Sequence, residues 1–138
     1  MIVLDTHALL WWVNDDKKLS PTARKTIRST LNKGEDVLVS SITAWEITML
    51  ASKGQLTLTM DVSEWLTTTA AIEGDRYVPI DNEIAIHSVN LPGVFHPDLV
   101  DRMITVLARR YNVPLVTADE KIRGYKHMYS YGYSTSYK

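Results

Sequence analysis

Residues 2–12 read IVLDTHALLWW: three apolar residues, then Asp5, then a run in which only Thr6 and His7 are polar. Ile2-Val3-Leu4 predicts a short buried strand. The segment Thr6 to Asn14 is apolar nearly all round and predicts a buried or interface helix. Asp5 therefore sits between two elements that exclude water. A carboxylate in such a place costs free energy unless a partner or a function holds it there.

Outward from this start, strands and helices alternate. Ser20-Pro21 reads as an N-cap followed by proline at the first helical position, with Gly34 at the far end. The helix between them is basic, with Ala23, Ile27 and Leu31 on one face. Asp36 to Ser41 predicts a second strand, running into a helix near Thr43 that ends at Gly54 and turns Trp45, Met49 and Leu50 inward. Asp61 and Glu64 have capping-box spacing and open a helix carrying Trp65, Leu66 and Ile72 that stops at Gly74. Tyr77 to Ile80 predicts a third strand, its Pro79 favouring an edge or strand-start position. A short helix over Asn82 to Val89 and a long one over Pro97 to Tyr111 follow, the second with an inner stripe of Val100, Ile104, Leu107 and Ala108. Val113 to Val116 predicts the fourth strand. This alternation implies an α/β fold, a parallel sheet of about four to five strands with helices on both faces. The tail 124–138 holds five of the seven tyrosines and is compatible with a last edge strand or with disorder.

Composition narrows the function. The 138 residues carry 15 Lys and Arg against 16 Asp and Glu, a net charge of -1, which does not suit a generic polyanion binder. The absence of cysteine excludes disulfides, thiolate metal sites and cysteine nucleophiles. There is no repeat or dividing linker, so a single domain over 1–138 is expected. The apolar start has no basic region before it and no small-residue cleavage site after it. With no apolar run of about 18 residues, a cytoplasmic protein without a membrane segment is expected. Charge is uneven, however: 17–33 holds six basic residues and no acid.

In open α/β sheets the ligand crevice lies outside the carboxyl ends of the strands. Asp5 ends the first strand, Glu46 falls in the first turn of the helix after the second, Asp98 and Asp101 in the first turn of the helix opened by Pro97, and Asp119 ends the fourth. Each has an ordinary explanation alone, since acids favour helix N-termini and turns. Together they repel: two unit charges about 5 Å apart at an effective dielectric of about 20 cost about 3 kcal/mol. A cation among them removes that cost, and an all-oxygen set suits Mg²⁺ or Mn²⁺ rather than zinc. Such an ion on a phosphate supports phosphodiester hydrolysis.

Four blocks carry a resemblance: IVLDTHALLWW at the start, SSITAWEI around Glu46, HPDLVDRMI around Asp101 and VPLVTAD near Asp119. In this order and spacing they resemble the PIN-domain nucleases, in particular the VapC-type toxins of prokaryotic toxin–antitoxin pairs. The resemblance covers residues 1 to about 123. It implies a metal-dependent endoribonuclease with Asp5, Glu46, Asp101 and Asp119 as its catalytic, metal-site acids. Asp98 falls on an additional acid of the third block and Arg102 on its arginine. Thr6 and Thr117 are supporting positions, as donors to carboxylates or to bound water, or as turn caps. Where the family usually has proline and an aromatic after the first acid of this block, Leu99 and Val100 stand here. The resemblance also implies an RNA substrate, a cognate antitoxin and a homodimer. Trp11 and Trp12 cannot both face one narrow stripe, so one of them marks a partner surface or both pack from two sides. His7 and His96 lie beside the expected site, but hydrolysis by this route needs neither.

Two other readings compete. An aspartate phosphatase wants a second acid two residues after the first, which Asp5-Thr6-His7 lacks, and no phosphate loop, zinc motif or serine elbow is present. The alternative of another class is a catalytically silent PIN-like module that binds RNA or protein. Such a module has no need for four mutually repelling carboxylates.

Overall fold

The computed structural model describes residues 1–93 and 98–117, together with the backbone of a strand at Ser130–Tyr131. The strands are β1 (Ile2–Leu4), β2 (Val37–Ser40), β3 (Asp75–Val78), β4 (Leu115–Val116) and β5 (Ser130–Tyr131). They form one sheet in the order β3-β2-β1-β4-β5, with every pairing parallel. Among the described residues the helices are α1 (Thr6–Val13), α2 (Pro21–Asn32), α3 (Ser41–Ser52), α4 (Val62–Ala70), α5 (Asn82–Val89) and α6 (Leu99–Tyr111). None is long and apolar enough to cross a membrane.

The apolar strands have no wet face because each side of the sheet carries its own core. Ile2, Leu4, Val37, Val39 and Val116 pack with α1, α2 and Trp65 of α4. Val3, Leu38 and Leu115 point the other way and pack with Ile42 of α3, Ile84 of α5 and the inner stripe of α6. Successive residues of one strand thus enter opposite cores, which is why the strands read as continuous apolar runs. β1 is fully covered and lies at the centre.

Most of the expected elements are present, with shifted ends. β3 starts at Asp75 rather than Tyr77, and is an edge strand as Pro79 suggested. β4 is two residues long, Val113 and Pro114 leading into it. The helix opened by Asp61 ends at Ala70, short of Gly74, so Ile72 follows it. Gly74 has φ +92°, and a Cβ there would run into the Leu31 side chain of α2, so the chain enters β3 through a position that favours glycine. In the tail, Ser130–Tyr131 pairs with β4 as the last edge strand.

Two helix readings are corrected. α3 starts at Ser41 because the Ser40 hydroxyl accepts from the Ile42 amide and caps it, two residues ahead of Thr43. That rotation buries Ile42, Thr43 and Ile47 and leaves Trp45 51% exposed. Glu46 consequently lies in the second turn, not the first. The last long helix starts at Leu99, with Asp98 as its N-cap rather than a first-turn residue. Pro97, expected to open it, lies outside the described residues. Its predicted stripe is correct: Val100, Ile104, Leu107 and Ala108 are all buried. Trp11 and Trp12 are both half-buried and both pack against the same α1–α2 core.

Candidate active site

The strand order reverses direction at β1, whose two neighbours lead to the two halves of the sheet. The carboxyl ends of β1 and β4 flank that switch point, where open α/β sheets leave a crevice. The Asp5 amide donates to the Val116 carbonyl at 3.2 Å, joining the two strand ends. Asp5 then turns the chain into α1 as its N-cap, accepting from the Ala8 amide at 2.8 Å through Oδ1. Its side chain is buried, 8% exposed.

A cavity of about 420 Å³ opens over this carboxyl. Asp5, Glu46, Asp98 and Asp101 all line it, with Thr6, His7, Trp11 and Ile104. Four acids separated by up to 96 positions in the chain, from the ends of three different helices, are thereby brought to one space. Each helix presents the same end. Asp5 caps α1, Ser40 caps α3, and Asp98 caps α6 by accepting from the Asp101 amide at 3.1 Å. The positive ends of three helix dipoles therefore bear on the acids.

Those dipoles do not neutralise Asp5. Burial pushes its carboxyl above the ordinary range, and the Glu46 charge pushes the same way. The Thr117 hydroxyl, the Ala8 amide and the His7 charge pull it back. Thr117, at the end of β4, is wholly buried. Thr6 turns inward, its hydroxyl 3.0 Å from that of Thr43 in a fully buried pair. Thr43 escaped sequence reasoning because nothing in its spacing marks a threonine as the anchor of another threonine. Ile104, three residues after Asp101, was read as a core residue and also forms the apolar wall of the cavity. His7 stands exposed over the rim, its ring 5.8 Å from that of Trp11.

Arg102 reaches a neighbouring helix. Its Nη1 donates to the Ser88 carbonyl of α5 at 2.9 Å, tying α6 to α5, and it is not part of the cavity lining. Asp119 and His96 lie outside the described residues. Among the described residues no three acids or histidines are close enough together to enclose an ion by themselves. The donor set is nonetheless all oxygen, gathered over a desolvated carboxylate whose direct partners, Thr117 and Ala8, are neutral. That chemistry fits a hard divalent cation, and the sequence supplies a further acid, Asp119, two residues after Thr117.

Comparisons with known proteins agree in kind. The family model of the PIN domain matches residues 2–127. Ribonuclease VapC22 of Mycobacterium tuberculosis is 31% identical over 126 residues, covering 91% of this chain and 92% of that protein. Two solved structures share the fold at 17% identity. VapBC2 from Rickettsia felis, bound to a DNA fragment from its promoter, matches with TM-score 0.69 over 95% of this chain and 98% of its own. A toxin–antitoxin complex from Klebsiella pneumoniae matches with TM-score 0.65 over 94% and 97%.

Proposed function

The chain belongs to the PIN domain family, and from that premise we propose that it is the endoribonuclease toxin of a toxin–antitoxin pair, hydrolysing RNA phosphodiester bonds with a divalent cation. The observation that carries this reading is the arrival of Asp5, Glu46, Asp98 and Asp101 in one cavity at the switch point of the sheet. The resemblance of the chain to a ribonuclease over nine tenths of both lengths supports it.

In this proposal Asp5, Asp101 and Asp119 hold Mg²⁺ or Mn²⁺, and Glu46 holds it through water or orients the attacking water. Bound there, such an ion would lower the pKa of an attacking water and offset charge on the phosphate oxygens. The remaining roles belong to the chain. Thr117 and the Ala8 amide fix the Asp5 carboxylate, Oδ1 being committed to the helix cap. Asp98 fixes the first turn of α6 and with it the position of Asp101. The Thr6–Thr43 pair locks α1 against α3, setting Asp5 and Glu46 opposite each other. Trp11 and Ile104 wall the cavity and strengthen the field of the acids by excluding water. Arg102 braces α6 against α5 through the Ser88 carbonyl. The partners proposed with this activity are RNA, an antitoxin and a second copy of the chain, and the proposed location is the cytoplasm, all within one domain over 1–138. Exposed Trp45, Ile86 and Val89 supply apolar surface that self-association would cover.

The test is cleavage of a panel of structured and single-stranded RNAs with Mg²⁺, with Mn²⁺ and with EDTA, beside an identically purified Asp101→Asn variant. Cutting that needs metal and disappears in the variant is the expected result, a loss of at least about a hundredfold. Cutting that survives both EDTA and Asp101→Asn removes the site proposed here.

A further inference from the structure

A second feature of the molecule lies outside the acid cavity. A groove of about 910 Å³ follows one face of α2 and is lined by Lys17, Arg24, Lys25, Arg28 and Lys33 and by no acid. The acids that flank this segment in sequence are occupied elsewhere. Asp15 pairs with Arg24 at 2.6 Å, Glu35 with the N-terminal ammonium at 2.7 Å, and Asp36 faces Arg76 at 3.7 Å. Asp16 accepts from the Lys18 amide at 2.9 Å. Lys17, Lys25, Arg28 and Lys33 take part in none of the ion pairs formed among the described residues. In a chain of net charge -1, five of the 15 basic side chains thus line this one groove.

The chemistry of the lining separates the possible occupants. Its apolar members are Leu19, already buried, and Pro21; Ser29 and Asn32 complete it. The aliphatic stems of the lysines and arginines give the groove apolar walls, but a protein partner would also have to accept several positive charges, and the centres of protein interfaces are poor in lysine. Lysine and arginine interleaved with short polar side chains match the contacts that proteins make to phosphates and sugars. Position agrees as well. α1, whose eight residues span about 12 Å, runs from the acid cavity toward the turn that opens the groove. At about 3.4 Å of axis per nucleotide, a strand crosses that distance in roughly four nucleotides.

We infer that the basic face of α2 holds the phosphate backbone of the RNA substrate on the strand flanking the scissile bond, and so governs affinity for long RNAs without taking part in the chemistry. This rests on the ribonuclease reading above. The test measures binding of a long single-stranded RNA and of a short oligonucleotide unable to reach past α1, both to the non-cleaving Asp101→Asn protein, against Lys25→Glu/Arg28→Glu and the milder Lys25→Gln/Arg28→Gln added to it.

The expected result for the glutamate pair is roughly tenfold or greater weakening for the long RNA, irrespective of its sequence, and no change for the short one. The slope of log affinity against log salt falls in the glutamine pair by about 0.7 per lost phosphate contact. Melting temperatures identify any variant that fails to fold, in which case the glutamine pair decides. Equal loss for both RNA lengths, or loss for neither, overturns the inference. So does unchanged RNA binding with lost binding of a cognate antitoxin, which would assign the face to a protein. In wild-type protein carrying only the α2 substitutions, cleavage with unaltered length dependence refutes this inference alone, whereas absence of cleavage in the unsubstituted protein counts against the ribonuclease reading.

Discussion

Asp75 is a carboxyl without a donor. Both its oxygens are buried and neither has a hydrogen-bond partner among the described residues. It enters the edge strand β3 directly after Gly74, and burial alone pushes its carboxyl up to about 7. Tyr77, two residues on, feels its charge, while its own hydroxyl lies 3.0 Å from that of Thr69. The folded state therefore retains a proton that the unfolded chain gives up near 3.8. The contribution of Asp75 to stability is complete below that lower value and is lost as pH rises through about 7. Asp75→Asn is expected to melt close to wild type at pH 5 and higher than wild type at pH 8, by about 1–2 kcal/mol after allowing for water at a strand edge. A wild type that gains stability relative to the variant between these two pH values would show that the carboxylate finds a cation. No sequence pattern distinguishes Asp75 from the acids around it, because its isolation arises only from tertiary burial.

At the level of the elements, one carboxylate often serves both cap and site. Asp98 accepts the Asp101 amide while standing in the same cavity as Asp101, and the two roles separate by substitution. Asp98→Ala is expected to cost about 1 kcal/mol of stability, the usual value of an N-cap. Asp98→Asn keeps an acceptor for the cap and so keeps the melting temperature, losing only the charge. If both variants melt alike and equally low, capping is not what Asp98 contributes. The caps also mark where sequence reasoning was strong. Ser20-Pro21 and the stripe of α6 have local, periodic signatures, and the start of α2 and the buried face of α6 are as expected. α3 has no such pattern: apolar residues occupy most of its circumference. Its rotation is set by the Ser40 cap and by Thr6 across the interface, so Trp45 was placed inward and Glu46 a turn too early. The cavity acids were legible because they follow a strand end, as Asp5 does, or lie near the N-terminal end of a helix, as Glu46, Asp98 and Asp101 do. Their supports, Thr43 and the apolar face of Ile104, were not, since those roles exist only across elements.

For the molecule as a whole, the position of β1 explains why a small fold tolerates this acid cluster. Central and fully covered, it anchors Asp5 between two independent cores, so repulsion at the carboxyl ends of the strands is opposed by burial along both faces. Asp5 nevertheless remains desolvated beside the Glu46 charge. A divalent cation that binds the folded chain and not the unfolded one must then stabilise the entire molecule, by about 2.7 kcal/mol at a concentration one hundred times its dissociation constant. For a domain of this size that corresponds to a rise in melting temperature on the order of 10 °C. Asp5→Asn keeps the acceptor for the Ala8 amide and removes one charge from the cluster. It is expected to fold, to melt no lower than wild type without metal, and to lose most of the metal-induced rise. A melting temperature that does not move across millimolar Mg²⁺ and Mn²⁺ in the wild type would mean that the acids are held by the fold alone. A rise that persists undiminished in Asp5→Asn would place the cation at other carboxylates, and the assignment of Asp5 as a ligand would fail while the fold remained as described.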